Sequence, residues 1–222
     1  YESIQRTGAD LAICGTIKTS VRQVNSKSQF VPAEDLVMSP EQTIELGLYS
    51  KGFSLSAWGK LYKKSLFYGV EYPKGKLFED IFTTYKLILK SHKIVYNEKV
   101  GYFYYYRPNS IVASNYTPRH LDCFEGLEQM KADGVFSTPL LKKTYYAAVI
   151  EAFSELLEKN PPKNDTSIES LWKQVKKYRI CTIFNQKCSL RVRVKAATLL
   201  MGRNFSQKII NYYYQKKWKR NQ

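Results

Sequence analysis

The hydrophobic period changes along the chain. Gly8-Ala9-Asp10-Leu11-Ala12-Ile13-Cys14-Gly15 is a short apolar run between glycines, the pattern of a buried strand entered from a helix end. Residues 16–36 mix Thr, Ser, Gln and Val with weak alternation, which predicts an extended hairpin or loop. Ser39-Pro40-Glu41-Gln42 predicts a helix start, with Ser39 at the N-cap, proline in the first position and Gln42 three residues on. That helix should reach Tyr49. Phe53 to Trp58 reads as a strand or approach loop, Lys60 to Phe67 as a short helix, and Pro73-Lys74-Gly75 as a turn.

From Phe78 onward, Phe78, Ile81, Phe82, Tyr85, Ile88 and Leu89 recur at helical spacing, so one face packs and Glu79 and Asp80 fall off it. The β-branched and aromatic runs Lys93–Tyr96 and Val100–Tyr106 predict two short strands, closed by a turn at Arg107-Pro108-Asn109-Ser110. Beyond Ser110 the pattern is helical: from Thr117-Pro118 to Asp133-Gly134, from Thr138-Pro139 to Lys159, from Ser167 to Tyr178, and over residues 189–201 and 205–219. An α/β domain over residues 1–115, followed by an all-α helical domain over 116–222, is the predicted organisation.

Composition adds one asymmetry. Hydrophobic residues make up 44% of 222 residues, enough for buried cores. The net charge of +16 is uneven: residues 1–160 carry 20 Lys and Arg against 17 Asp and Glu, while 161–222 carry 15 against 2. A basic helical tail attracts an anionic surface, lipid or nucleic acid, and charge does not choose between them. Arg191, Lys195, Lys216, Lys217, Trp218 and Lys219 place basic groups near Trp, Tyr and Leu, a combination suited to an anionic membrane interface. The alternatives are an apolar face packed on the rest of the protein with a solvated basic face, or RNA binding, for which no recognition-module signature occurs.

Cys14, Cys123, Cys181 and Cys188 have no Cys-x-x-Cys spacing and only His92 and His120 to assist them, which argues against a zinc site and for reduced, cytoplasmic thiols. No apolar run approaches the roughly 18–20 residues of a membrane span. The expectation is a soluble or peripheral protein. The first residue is Tyr, which fits a processed or truncated chain.

The densest chemistry lies in Ser56-Ala57-Trp58-Gly59-Lys60-Leu61-Tyr62, Pro73-Lys74-Gly75 and Phe78-Glu79-Asp80, followed by Tyr102-Phe103-Tyr104-Tyr105-Tyr106-Arg107 and Asn109-Ser110. An aromatic shelf, a cation and paired carboxylates at a helix start can together form an active-site wall. Acidic residues in a first helical turn also serve the backbone dipole, so Glu79-Asp80 alone has a plain structural reading. The order of these motifs resembles the acceptor half of inverting, GT-A-fold glycosyltransferases of family 2, the bacterial polysaccharide-assembly kind.

The resemblance implies a partial GT-A domain that transfers a sugar from a nucleotide-sugar donor to a saccharide or lipid-linked saccharide acceptor. It makes Asp80 the general base, Glu79 an orienting group, Trp58 a sugar platform, Lys60 and Arg107 phosphate contacts, and Ser110 part of the same substrate-binding stretch. Position 59 often carries Asn in that family. No Asp-x-Asp signature occurs here. The resemblance therefore places the nucleotide-binding half and its Mg²⁺ or Mn²⁺ upstream of Tyr1 and makes this chain alone incomplete for catalysis, at the inner face of the cell membrane. The competing class is a non-catalytic interaction module that binds membrane or RNA.

Overall fold

The computed structural model describes residues 1–19, 34–105 and 114–220, with side chains described as far as Tyr213. The chain divides into two compact units, Tyr1–Pro108 and Asn109–Gln222.

The first unit opens with α1 (Glu2–Thr7), stopped by Gly8 in the left-handed conformation at φ 69°. Strand β1 (Leu11–Thr19) follows, with Leu11, Ile13 and Gly15 buried in alternation. β2 (Leu36–Met38) leads into α2 (Pro40–Leu48), whose start is the predicted capping box between Ser39 and Gln42. β3 (Lys60–Tyr62), a short 3₁₀ turn at Lys64–Phe67, α3 (Glu79–Lys90) and β4 (Ile94–Tyr105) complete the unit. The four strands form one mixed sheet in the order β2-β4-β1-β3; β1 runs parallel to β4, and β2 and β3 pair antiparallel at the edges. α2 packs on α3. Ile44, Phe82, Tyr85, Leu87 and Ile88 from these helices, with Leu11, Ile13, Ile94 and Val95 from the central strands, are the buried core.

Two expectations change. The short helix over Lys60–Phe67 is a strand and then a 3₁₀ turn, because Leu11, Ala12 and Ile13 pair with Tyr62, Leu61 and Lys60 and so extend the backbone there. The two strands expected over 93–106 are one strand. The polar Asn97-Glu98-Lys99 reads as an interruption, yet register shifts around Gly15 on β1 absorb it and the pairing resumes at Val100 and Tyr102. A Cβ at Gly15 would lie 2.2 Å from the Glu98 carbonyl oxygen. Gly15→Ala should therefore force the two central strands apart and cost about 1–3 kcal/mol, measured as a lower denaturant midpoint.

Two carboxylates tie the unit's ends together. Asp10 accepts from Lys63 Nζ at 2.7 Å and from the His92 backbone N–H at 2.8 Å, and the Lys63 bond is the main reason its carboxyl lies below the ordinary range. Burial would raise Asp35, but hydrogen bonds from Asn97, Ser3 and Arg6 outweigh it and hold the carboxyl low. Asp35 thus joins α1 to β4.

The second unit is helical: a 3₁₀ turn at Pro118–Leu121, then α4 (Asp122–Ala132), α5 (Pro139–Glu158), α6 (Thr166–Ile183), α7 (Leu190–Thr198), a 3₁₀ turn at Leu199–Met201, and α8 (Arg203–Arg220). α6 runs five residues beyond the predicted Tyr178. α5 is the hub, packing on α4, α6, α7 and α8. Tyr145, Ile150, Phe153 and Leu157 on α5 meet Ile168, Trp172 and Val175 on α6 in the buried core, with Phe153 stacked on Trp172. His120 is buried at the first 3₁₀ turn, where its ring closes a box with Thr117. No helix among the described residues is long and apolar enough to cross a membrane.

Candidate active site

The loop from Phe53 to Gly59 is shaped by Lys60. Its ammonium donates to the carbonyls of Ser54 at 2.8 Å and Ser56 at 2.7 Å, with the Trp58 carbonyl at 3.5 Å. Lys60, for which the sequence offers a phosphate contact or a structural role, turns inward here and holds the loop that presents Trp58. Burial lowers its pKa to about 8, against the opposing charges of Asp80 and Cys14.

Gly59 closes the loop at φ 69°. Its carbonyl accepts the Cys14 backbone N–H at 3.0 Å and the Cys14 thiol at 3.3 Å. Glycine and asparagine are the residues that tolerate this left-handed backbone. Glycine therefore suits this position through its backbone conformation.

Trp58 stacks on Tyr102, with ring centroids 5.0 Å apart and planes 13° from parallel, and tilts against Tyr104 at 5.3 Å. Tyr102 and Tyr104 are two residues apart on β4 and share a face. The aromatic run therefore builds a partly exposed wall around the indole. Arg107 and Ser110 lie outside the described residues.

Asp80 sits in the first turn of α3, behind Phe78, which adopts a left-handed backbone at φ 56°. A non-glycine residue held there stores of the order of 1 kcal/mol or more. Phe78 gives the helix no side-chain cap. The Asp80 carboxylate instead takes the N–H groups of Ile81 and of Asp80 itself, and these bonds and Lys60 favour its ionised form. Burial, followed by the Glu79 charge, overcomes them and raises the Asp80 carboxyl above the ordinary range. Glu79 is exposed beside it.

Sequence reasoning left two tyrosines without a role. Burial, then Tyr72 and Asp80, raise the Tyr62 hydroxyl well above its ordinary value; burial, with Asp80 and Glu79, also raises Tyr72. Both phenols remain protonated donors in the electrostatic reach of Asp80. Tyr62 is in the Trp58–Tyr62 motif, its hydroxyl donating to the Ala57 carbonyl at 3.4 Å, and Tyr72 directly precedes the Pro73 turn, but neither adjacency reveals that both lie within the electrostatic range of one carboxylate. The region thus combines a partly buried carboxylate, two phenols within its electrostatic range and an aromatic wall. Among the described residues, no group of three or more His, Cys, Asp or Glu side chains could hold a metal ion.

No family model matches the chain. A stretch of 62 residues is 45% identical to a protein named Glycosyltransferase GlyA from Streptococcus pneumoniae serotype 4 (strain ATCC BAA-334 / TIGR4), covering 28% of this chain and 9% of that protein.

The basic tail is also partly corrected. Lys195, expected to face a membrane, is turned inward with its side chain only 10% exposed: it donates to Glu151 at 2.8 Å and lies 3.9 Å from Glu158. The acidic residues of α5 recur a turn apart on the side that meets α7, so the ammonium is drawn into the bundle. Arg191 stays largely exposed, 3.9 Å from Glu151. Lys216, Lys217, Trp218 and Lys219 lie on α8, beyond the described side chains.

Proposed function

We propose that this chain is the acceptor-side portion of a glycosyltransferase, of the inverting family 2 kind with a GT-A domain over residues 1–115 and a helical domain over 116–222. The observation that carries the reading is Asp80: a partly buried carboxylate of raised basicity in the first turn of a helix, flanked by Tyr62, Tyr72 and the loop that Lys60 pins beneath Trp58. The similarity of one stretch to a protein named as a glycosyltransferase supports the same class.

In the proposed reaction, the acceptor hydroxyl oxygen attacks the anomeric carbon of a nucleotide-sugar, and the Asp80 carboxylate takes the hydroxyl proton as the new C–O bond forms. The bond from the anomeric carbon to the diphosphate breaks on the opposite face, and its electron pair leaves with the nucleoside diphosphate. Trp58 is the platform for a sugar ring, since the apolar face of a pyranose packs on indole. Glu79 orients the acceptor, Arg107 and Ser110 approach the diphosphate, and Lys60 positions Trp58 through the loop. Mg²⁺ or Mn²⁺ would, in the complete enzyme, be held mainly by residues absent from this chain and would supply positive charge to the diphosphate. The acceptor is a saccharide or lipid-linked saccharide of a bacterial surface polysaccharide, met at the inner face of the cell membrane.

The test is transfer by the full-length protein across a panel of nucleotide-sugars, with the anomeric configuration of the product read by NMR. Inverted product supports the reading. Retention overturns the inverting mechanism, and no transfer from any donor favours a non-catalytic interaction module.

A further inference from the structure

We infer that the α6–α7 corner of the helical unit is a docking surface for an anionic lipid bilayer, with Phe184 and Leu190 as its inserting residues. Phe184 caps the C-terminal end of α6 at 74% exposure and Leu190 begins α7 at 72%. They flank the 185–189 connection. Ile180, one turn before Phe184, is also exposed; Val194, one turn after Leu190, is 55% exposed, and Met201 at the end of the following 3₁₀ turn is 58% exposed. Residues four apart share a helix face, so α6 and α7 each present an apolar stripe to solvent instead of to the bundle.

The helix ends are held beside one another. Arg193 Nε donates to the Ile183 carbonyl at 2.7 Å, Cys188 N–H to the Asn185 carbonyl at 3.0 Å, and α6 packs along α7. The inward turn of Lys195 is part of the same arrangement: its ammonium fastens α7 to α5 through Glu151 and leaves Leu190 and Val194 outward.

Charge identifies the occupant. No acidic residue occurs after Glu169, whereas 14 Lys and Arg follow it. Lys173, Lys176, Lys177, Lys187 and Arg191 are exposed on α6, the connection and α7. A surface with large apolar side chains and predominantly basic charge matches headgroup phosphates above a hydrocarbon boundary, where basic residues meet phosphate and apolar residues insert. Nucleic-acid backbones would match the charge but leave Phe184, Leu190 and Val194 in water. The surface deepens, and rests on, the proposal of an enzyme working at a membrane; vesicle binding needs no turnover, so the two can fail separately.

The experiment is co-sedimentation of the 222-residue chain with vesicles of pure phosphatidylcholine and of phosphatidylcholine containing roughly one-third phosphatidylglycerol. Expected is binding to the anionic vesicles alone, weakened by salt, and a loss of about tenfold or more in Phe184→Ser/Leu190→Ser with unchanged circular dichroism. Lys187→Glu/Arg191→Glu should weaken it as well. No binding to anionic vesicles overturns the inference, as does binding that the Ser pair leaves intact. Loss of a dimer in the Ser pair without vesicle binding would assign the surface to a second copy, and binding to RNA alone would assign it to nucleic acid; either result also overturns the proposal.

Discussion

Replacing Asp80 by Asn should abolish sugar transfer by the full-length protein, lowering kcat by about 10²–10⁴-fold, the usual contribution of a positioned general base, while the chain gains stability near neutral pH. The second half of this expectation separates catalysis from folding. Burial and Glu79 raise the Asp80 carboxyl above its unfolded value of 3.8. Between the unfolded and folded values the native state holds the extra proton, so the contribution of Asp80 to stability falls as pH rises through that window and is unfavourable above it. The amide of the Asp80→Asn variant would carry no charge to bury. A variant that is inactive and melts at a higher temperature at pH 7 is what the base reading requires. If Asp80 merely served the helix dipole, Asn would lower the melting temperature and leave transfer intact.

The second large effect is expected at Lys60. Lys60→Met removes the donors to the carbonyls of Ser54 and Ser56, and two partly buried carbonyls left unpaired should cost about 2–4 kcal/mol at pH 7. The same change removes the cation that favours ionised Asp80. The acid limb of the pH–rate profile should accordingly move to higher pH, in addition to any loss from a displaced Trp58. Stability has its own pH signature. Because the Lys60 ammonium has a folded pKa of about 8 against an ordinary value of 10.5, the unfolded state binds more protons between these values. The wild-type contribution therefore rises with pH across that window. Denaturant midpoints taken on either side of the folded value, near neutrality and in mild alkali, should show the gap between wild type and Lys60→Met widening. A gap independent of pH would mean that Lys60 is not buried as described.

The helical elements were largely legible in the sequence because their signals are local. The Ser39-Pro40-Glu41-Gln42 box, the Thr138-Pro139 start and the stripe from Phe78 to Leu89 depend on neighbours within one or two turns, and they lie where the pattern put them except Leu89, which is exposed. The single strand β4 was not legible. Its polar centre is accommodated by bulged residues of β4, Glu98 and Lys99, opposite Cys14 and Gly15 of β1, which the local sequence cannot report, since Gly15 and Glu98 meet only across the sheet. Lys195, expected at a membrane face, is buried for a related reason, by a glutamate 44 residues away; Lys60, whose sequence context allows a phosphate contact or a structural role, is held by carbonyls only four and six residues away, whose aim depends on how the loop folds. Tyr62 and Tyr72 acquire their relation to Asp80 through the same long-range closure.

Residue identity and short spacing were enough for the order and kind of most helices, the acidic first turn that carries Asp80, the aromatic run beside it and the charge imbalance of the tail. They act through backbone conformation, amphipathic periodicity and net charge, all of which are local or additive. Which charges are buried, which aromatic rings stack, and which apolar residues of α6 and α7 remain in water became fixed only when the chain closed on itself. Those outcomes depend on desolvation and on contacts between segments far apart in the chain. The same lysine can be a solvated surface group or an internal pin, and the difference lies in what the fold brings against it.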